Sequence, residues 1–168
     1  DIEINVEKGV VYVSISDKLL FNSGSFTVTT RAKNVLEKIA KVISDKPDLE
    51  FMVEGHTDNM LIDQEKAAET IPGVLDNWDL SVKRATSVVR ILQNDYGVDP
   101  TKLVAAGRSF YMPIADNDSS VSRAVNRRTR IIVLPKLDQF TKLIEEGMSM
   151  NVPATGPSNT ISSDNKPD

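Results

Sequence analysis

Gly55-His56-Thr57-Asp58 and Asn77-Trp78-Asp79-Leu80-Ser81-Val82-Lys83-Arg84-Ala85 are the two stretches that decide how this chain is read. The apolar run Phe51-Met52-Val53 delivers Asp58 to the end of a strand, and an amphipathic helix starting near Asp79 presents Arg84 one turn in. On a helical wheel at about 100° per residue, Leu80, Ala85, Val88, Val89, Ile91 and Leu92 share an arc of roughly 180°. Arg84 falls inside that arc at about 40°, whereas Lys83 and Arg90 fall outside it. A guanidinium directed at an apolar face needs a paired anion and satisfied donors. Either Asp58 or Asp79 supplies that anion as an internal ion pair, or the anion arrives with a ligand.

Outward from this centre, the elements follow from periodicity. Ile2, Ile4 and Val6 alternate with polar residues, and alternation resumes from Val10 to Ile15 after Glu7-Lys8-Gly9, which predicts a β-hairpin within residues 1–16. Asn22-Ser23-Gly24-Ser25 is a loop. Thr29 caps a helix whose apolar side carries Ala32, Val35, Leu36, Ile39, Ala40, Val42 and Ile43. Leu49 to Glu54 is a strand inside the sheet, and Leu103 to Gly107 is a short buried strand. Met60 to Asp76 has no period and reads as a surface excursion with one helical turn near Gln64 to Thr70. Asp118-Ser119-Ser120 caps a short helix that ends at Asn126-Arg127-Arg128, and Thr129 to Leu134 is the last strand. Leu137, Phe140, Leu143 and Ile144 form a narrow stripe on a C-terminal helix within 136–147, and 148–168 reads as a disordered tail. Strands interleaved with two long helices predict an α/β (α+β layered) domain, its helices packed on one face of a mixed β-sheet.

Composition bounds the function. The 168 residues are 40% hydrophobic and 26% charged, with net charge −4, as expected of one ordinary domain with some extra chain. No global field draws it to nucleic acid or an anionic bilayer. The run Arg127, Arg128 and Arg130 is short, lacks interleaved aromatics and sits on an acidic chain, so no nucleic-acid partner is expected. With no cysteine and a single histidine, His56, disulfides are excluded and no Cys/His zinc site is expected; no cofactor is called for. No apolar run is long enough to span a bilayer. The start in strand pattern at Asp1-Ile2-Glu3-Ile4 is expected of a piece of a longer protein whose anchor lies elsewhere.

Catalysis is not expected. No Gly-x-Ser-x-Gly elbow appears, the scattered glycines form no phosphate loop, and His56 reads as a tie for the loop that presents Asp58.

Phe21-Asn22-Ser23-Gly24, Gly55-His56-Thr57-Asp58, Asn77-Trp78-Asp79-Leu80-Ser81 with Arg84-Ala85, Gly107, Pro113 and Asn126-Arg127-Arg128 together resemble the OmpA-like peptidoglycan-binding domain, in order and spacing, across residues 17–135. Leu20-Phe21-Asn22-Ser23-Gly24-Ser25 and Asn77-Trp78 lean toward its MotB-like branch. The resemblance implies non-catalytic binding of the diaminopimelate residue of the peptidoglycan stem peptide. Asp58 would take the ligand's ammonium and Arg84 its carboxylate, with Thr57, Asn77 and Arg127 as nearby hydrogen-bonding partners. It implies the periplasm or cell envelope of a Gram-negative-type bacterium, no direct membrane contact in this segment, and leaves a homodimer open. The rival expectation is a protein–protein interaction or oligomerisation domain in which Asp58 and Arg84 form a structural ion pair.

Overall fold

A computed structural model describes residues 1–22, 25–65, 69, 71–134, 142 and 144–148. The chain divides into two compact units, Asp1–Lys136 and Leu137–Asp168. In the second, residues 144–148 are helical; Leu137, Phe140 and Leu143 of the expected stripe, and the tail beyond Met148, lie outside the described residues, as do Ser23 and Gly24.

The first unit begins with β1 (Ile2–Glu7) and β2 (Val10–Ser16), paired antiparallel with Glu7 opposite Val10. Lys8 and Gly9 both have positive φ, 51° and 78°, the two-residue turn whose twist suits a tight hairpin. A one-turn helix, α1 (Asp17–Leu20), follows. Its end is tied to the next element by Thr29, which donates from N–H to Leu20 O and from Oγ1 to Leu19 O. Thr29 also caps α2 (Thr30–Ser44), accepting from Ala32 N–H as its side-chain type predicts. Ala32, Leu36, Ala40 and Ile43 of α2 are buried, but Val42, placed on the same side by the sequence, is 59% exposed. The buried stripe is narrower than the apolar one.

β3 (Glu50–His56) leads through residues 57–76 to α3 (Asn77–Asn94), the 3₁₀ turn Pro100–Lys102 and β4 (Leu103–Gly107); then come α4 (Ser120–Asn126) and β5 (Arg128–Leu134). The sheet order is β1-β2-β5-β3-β4. β3 pairs parallel with β4 and antiparallel with β5, so the sheet is mixed and β3 is interior, as expected. β4 is an edge strand with Val104 exposed, and the expectation of a buried strand fails because, among the described residues, no strand pairs with its outer side. Phe51, Val53, Ile131 and Ile15 pack against Leu36, Ala85, Val88 and Leu92 in one core between sheet and helices.

Residues 60–76 cross the surface with Met60, Leu61 and Leu75 exposed, and Gln64, Glu65 and Glu69 are helical; 66–68 and 70 lie outside the described residues. The segment is not wholly peripheral, because Val74 is buried and Pro72 O accepts from Lys83 Nζ at 2.7 Å.

Candidate functional site

The approach of α3 to the sheet sets the site. Gly55 and Gly107 are register partners on β3 and β4. A Cβ on Gly55 would collide with the carbonyl oxygen of Ser81, and one on Gly107 with Ser81 Oγ and Val82. Only glycines let the helix backbone lie this close, which draws the first turns of α3 against the loop that leaves β3. That loop is tied to α3 through Ser109. Thr57 N–H donates to Ser109 O, Ser109 N–H donates to Ser81 Oγ, and Ser109 itself holds φ 52°, an uncommon conformation for a residue with a side chain.

Asp58 is buried at the mouth of this loop. Its Oδ1 accepts from Met60 N–H at 3.1 Å and its Oδ2 from Arg127 Nη1 at 2.5 Å. The antiparallel register that places His56 opposite Arg128 carries Arg127 alongside the loop. Asn77 Nδ2 donates to Met60 O at 3.0 Å and to Asp58 O at 3.4 Å, while Thr57 Oγ1 donates to Asp58 O. Thr57 and Asn77 are therefore buried ties that hold the Asp58 loop.

Arg84 lies about two turns into α3, because the helix starts at Asn77 under an Asp76 cap and not at Asp79. Its Nη1 is 2.9 Å from Asp17 Oδ2, and its guanidinium stands over the Phe21 ring, 5.4 Å from the centroid. The direct Asp58–Arg84 ion pair expected under the rival reading is not formed: Arg84 reaches α1 and takes Asp17, whereas Asp58 takes Arg127. Asp79 instead accepts from Leu75 N–H. The four charges still feel one another. Burial raises the Asp17 carboxyl above its ordinary value, against the pull of Arg84 and Arg127, and Asp58 adds to the rise. Burial lowers the Arg84 guanidinium, opposed by Asp17.

A cleft of about 480 Å³ opens over this cluster, lined by Asp17, Phe21, Asn22, Arg84 and Arg127 among others. Asp17 is the residue that sequence reasoning missed. Its signal was present: an acid beside Leu19-Leu20-Phe21 is the mirror of an arginine inside an apolar arc. Asn126 was also missed as a positioning group. Fully buried, it accepts from Ile114 and Ala115 N–H and donates to Ala115 O and Asn117 Oδ1, pinning residues 114–117 to the end of α4 just before Arg127.

His56 is buried on the sheet face away from α2 and α3. Its Nε2 meets Glu54 Oε1 at 2.9 Å, and Arg108 Nε donates to Glu54 Oε2 at 2.8 Å. Burial holds the imidazole below its ordinary value, so it is neutral, with Nε2–H donating. It anchors β3 and has no nucleophile beside it. Among the described residues no cluster of three or more His, Cys, Asp or Glu could hold a metal.

The sequence profile of the OmpA family matches residues 20–127, which contain Asp58, Arg84 and Arg127. The chain belongs to the OmpA family. It is 29% identical over 124 residues to Motility protein B of Bacillus subtilis, covering 74% of this chain and 45% of that protein. It is 31% identical over 137 residues to Outer membrane protein Omp38 of Acinetobacter baumannii, covering 82% of this chain and 35% of that protein. The chain thus spans less than half the length of these curated relatives. The periplasmic domain of Helicobacter pylori MotB superposes with TM-score 0.76 at 24% identity, over 91% of this chain and 94% of that one, and so shares the OmpA-family fold. The cell wall anchor of the T6SS from Pseudomonas aeruginosa superposes with TM-score 0.66 at 32% identity, over 80% of this chain and 88% of that one. The mixed sheet with helices on one face, expected from the sequence, is the architecture of this OmpA-family chain.

Proposed function

We propose that this domain binds peptidoglycan without cleaving it, holding the diaminopimelate residue of the stem peptide in the cleft between α1, α3 and Arg127, and so tethers a cell-envelope protein to the wall in the periplasm of a Gram-negative-type bacterium. The observation that carries the reading is the pairing of two carboxylates and two guanidiniums, Asp17–Arg84 and Asp58–Arg127, around one cleft. Such a site carries both signs of charge and offers complementary partners to a zwitterion, the form of a free amino-acid centre. The likeness at 32% identity to a structure described as a cell wall anchor supports the same ligand class. A purely structural role accounts less well for a charged cluster left beside an open cleft, because a buried ion pair is weak support for stability.

Purified diaminopimelate-type sacculi should pull the domain down, and a free stem peptide should raise its melting temperature by mass action. Neither effect at saturating ligand would overturn the assignment. Incubation with sacculi should release no soluble muropeptides, since the site holds no activated nucleophile.

A further inference from the structure

A second hollow, of about 330 Å³, opens beside the charged cleft, between α4 and the hairpin face that carries Glu3, Ser14 and Ser16, and the two share Lys18 and Ala124 on their walls. Around the first, the acids are matched, Asp17 by Arg84 and Asp58 by Arg127. Lys18 is left over: it stands exposed on α1, and no acid pairs with it among the described residues. Arg128, the other cation of the second hollow, is buried and donates to Asn126 O and Met112 O, so the open charge is that of Lys18. Ala124 presents only a methyl to the junction. Past it the wall of α4 is apolar, with Val121 75% and Val125 48% exposed. A cation where a polar cleft meets an apolar hollow suits a ligand that carries an anion between its polar and alkyl parts.

We propose that the bound stem peptide runs on from the cleft past Ala124 into the second hollow, where Lys18 takes the carboxylate of a residue adjoining diaminopimelate and Val121 and Val125 take the alkyl groups beside it. The inference rests on the stem-peptide reading of the cleft and adds to it a position that reads a second anion. Two neighbours can supply that anion: the glutamyl residue, linked through its γ-carboxyl, keeps a free α-carboxylate, and a terminal alanine ends in one. Asp1 and Glu3 also line the hollow and repel a carboxylate placed away from Lys18. Because Lys18 is solvated, the pair is screened, its worth is modest and it weakens with salt.

Titration calorimetry with the tetrapeptide alanyl-γ-glutamyl-diaminopimelyl-alanine tests this beside two versions, one amidated at the glutamyl α-carboxylate and one at the terminal carboxylate. At least one amidation should weaken wild-type binding by about 2- to 5-fold in low salt, and the one that does identifies the source. Lys18→Gln, a surface change that leaves both ion pairs in place, should bind the unmodified peptide more weakly by the same factor and be indifferent to that amidation. The methyl NMR signals of Val121 and Val125 should shift with the tetrapeptide and stay in place with free diaminopimelate. A wild type that binds all three peptides equally overturns the proposal, as does a loss on amidation that persists undiminished in Lys18→Gln, or valine methyls unmoved by the tetrapeptide. A wild type that binds neither the peptides nor sacculi instead removes the stem-peptide reading, and this proposal with it.

Discussion

Asp17 and Arg84, separated in the chain by α2 and β3, meet at 2.9 Å between the single turn of α1 and the second turn of α3. Because the pair is buried, deletion and conservative replacement of the arginine separate its two roles. Arg84→Lys retains a cation for Asp17 but loses the planar fork, so the domain should keep cooperative melting while sacculus binding falls markedly. Arg84→Ala leaves Asp17 uncompensated, a change that typically costs about 3–5 kcal/mol. The sign with pH follows from the raised Asp17 carboxyl: its contribution to stability is present below the ordinary 3.8 and is lost as pH rises through its folded value. The melting deficit of Arg84→Ala should therefore be larger at neutral pH than near pH 4, and an equal deficit at both would show that Asp17 is not the group left behind.

Asp58 and Arg127 form the more open pair, the Arg127 side chain being 36% exposed. Solvent at the half-exposed guanidinium screens the pair, and Asn at position 58 can still accept from Met60 N–H. Asp58→Asn should therefore change the melting temperature little while abolishing sacculus binding. A variant that binds as well as wild type would remove Asp58 from the site.

The pair of glycines beneath α3 is the mechanical condition for the cleft. Gly55→Ala drives a methyl into the Ser81 carbonyl, which cannot move without shifting the helix that carries Asn77 and Arg84. Overpacking of this kind costs about 1–3 kcal/mol, occasionally more, and binding should fall together with stability. Gly73→Ala is the control, with open space around its Cβ but φ 79°, so it should cost some stability and spare binding. Similar binding losses in both would mean that helix approach is not what shapes the site.

Much of this was legible in the sequence because it is local. The hairpin, the Thr29 cap, the Ser119 cap and the interior strand at Phe51–Val53 each follow from a pattern a few residues long. Arg84 announced a buried partner through the helical wheel alone. Its identity did not follow, because the choice among Asp17, Asp58 and Asp79 depends on where α1 packs, a long-range fact. The strand order hid the same kind of information: β2 and β3 flank β5, so the exposed edge at β4 could not be told from an interior strand by its apolar run Leu103-Val104-Ala105-Ala106. Thr57 and Asn77 were found as residues of the site region but face the backbone of the Asp58 loop, a distinction that requires side-chain direction.

Acid should loosen the domain from the sheet face away from the cleft. Burial alone would raise Glu54, but its hydrogen bonds with His56 and Arg108 outweigh that and hold the carboxyl at about 2, below the ordinary 4.5. A group depressed in the folded state contributes stability above its unfolded value and loses it as pH falls through its folded value, so the Glu54 contribution fades between about pH 4.5 and 2. His56, depressed by burial from 6.5, acts with the same sign and begins its loss at higher pH, since protonating it requires placing a charge inside the sheet. Asp17 opposes both, because its protonated form suits its burial. Wild-type stability, read by urea titration at pH 7, 5 and 3, should therefore fall progressively. Glu54→Gln should be less stable than wild type at pH 7 and show a shallower decline from pH 5 to 3, where the ionisable carboxyl no longer contributes. A wild-type midpoint that is flat across this range, or a Glu54→Gln profile parallel to it, would mean that the Glu54–His56–Arg108 network is not what ties β3 to the sheet.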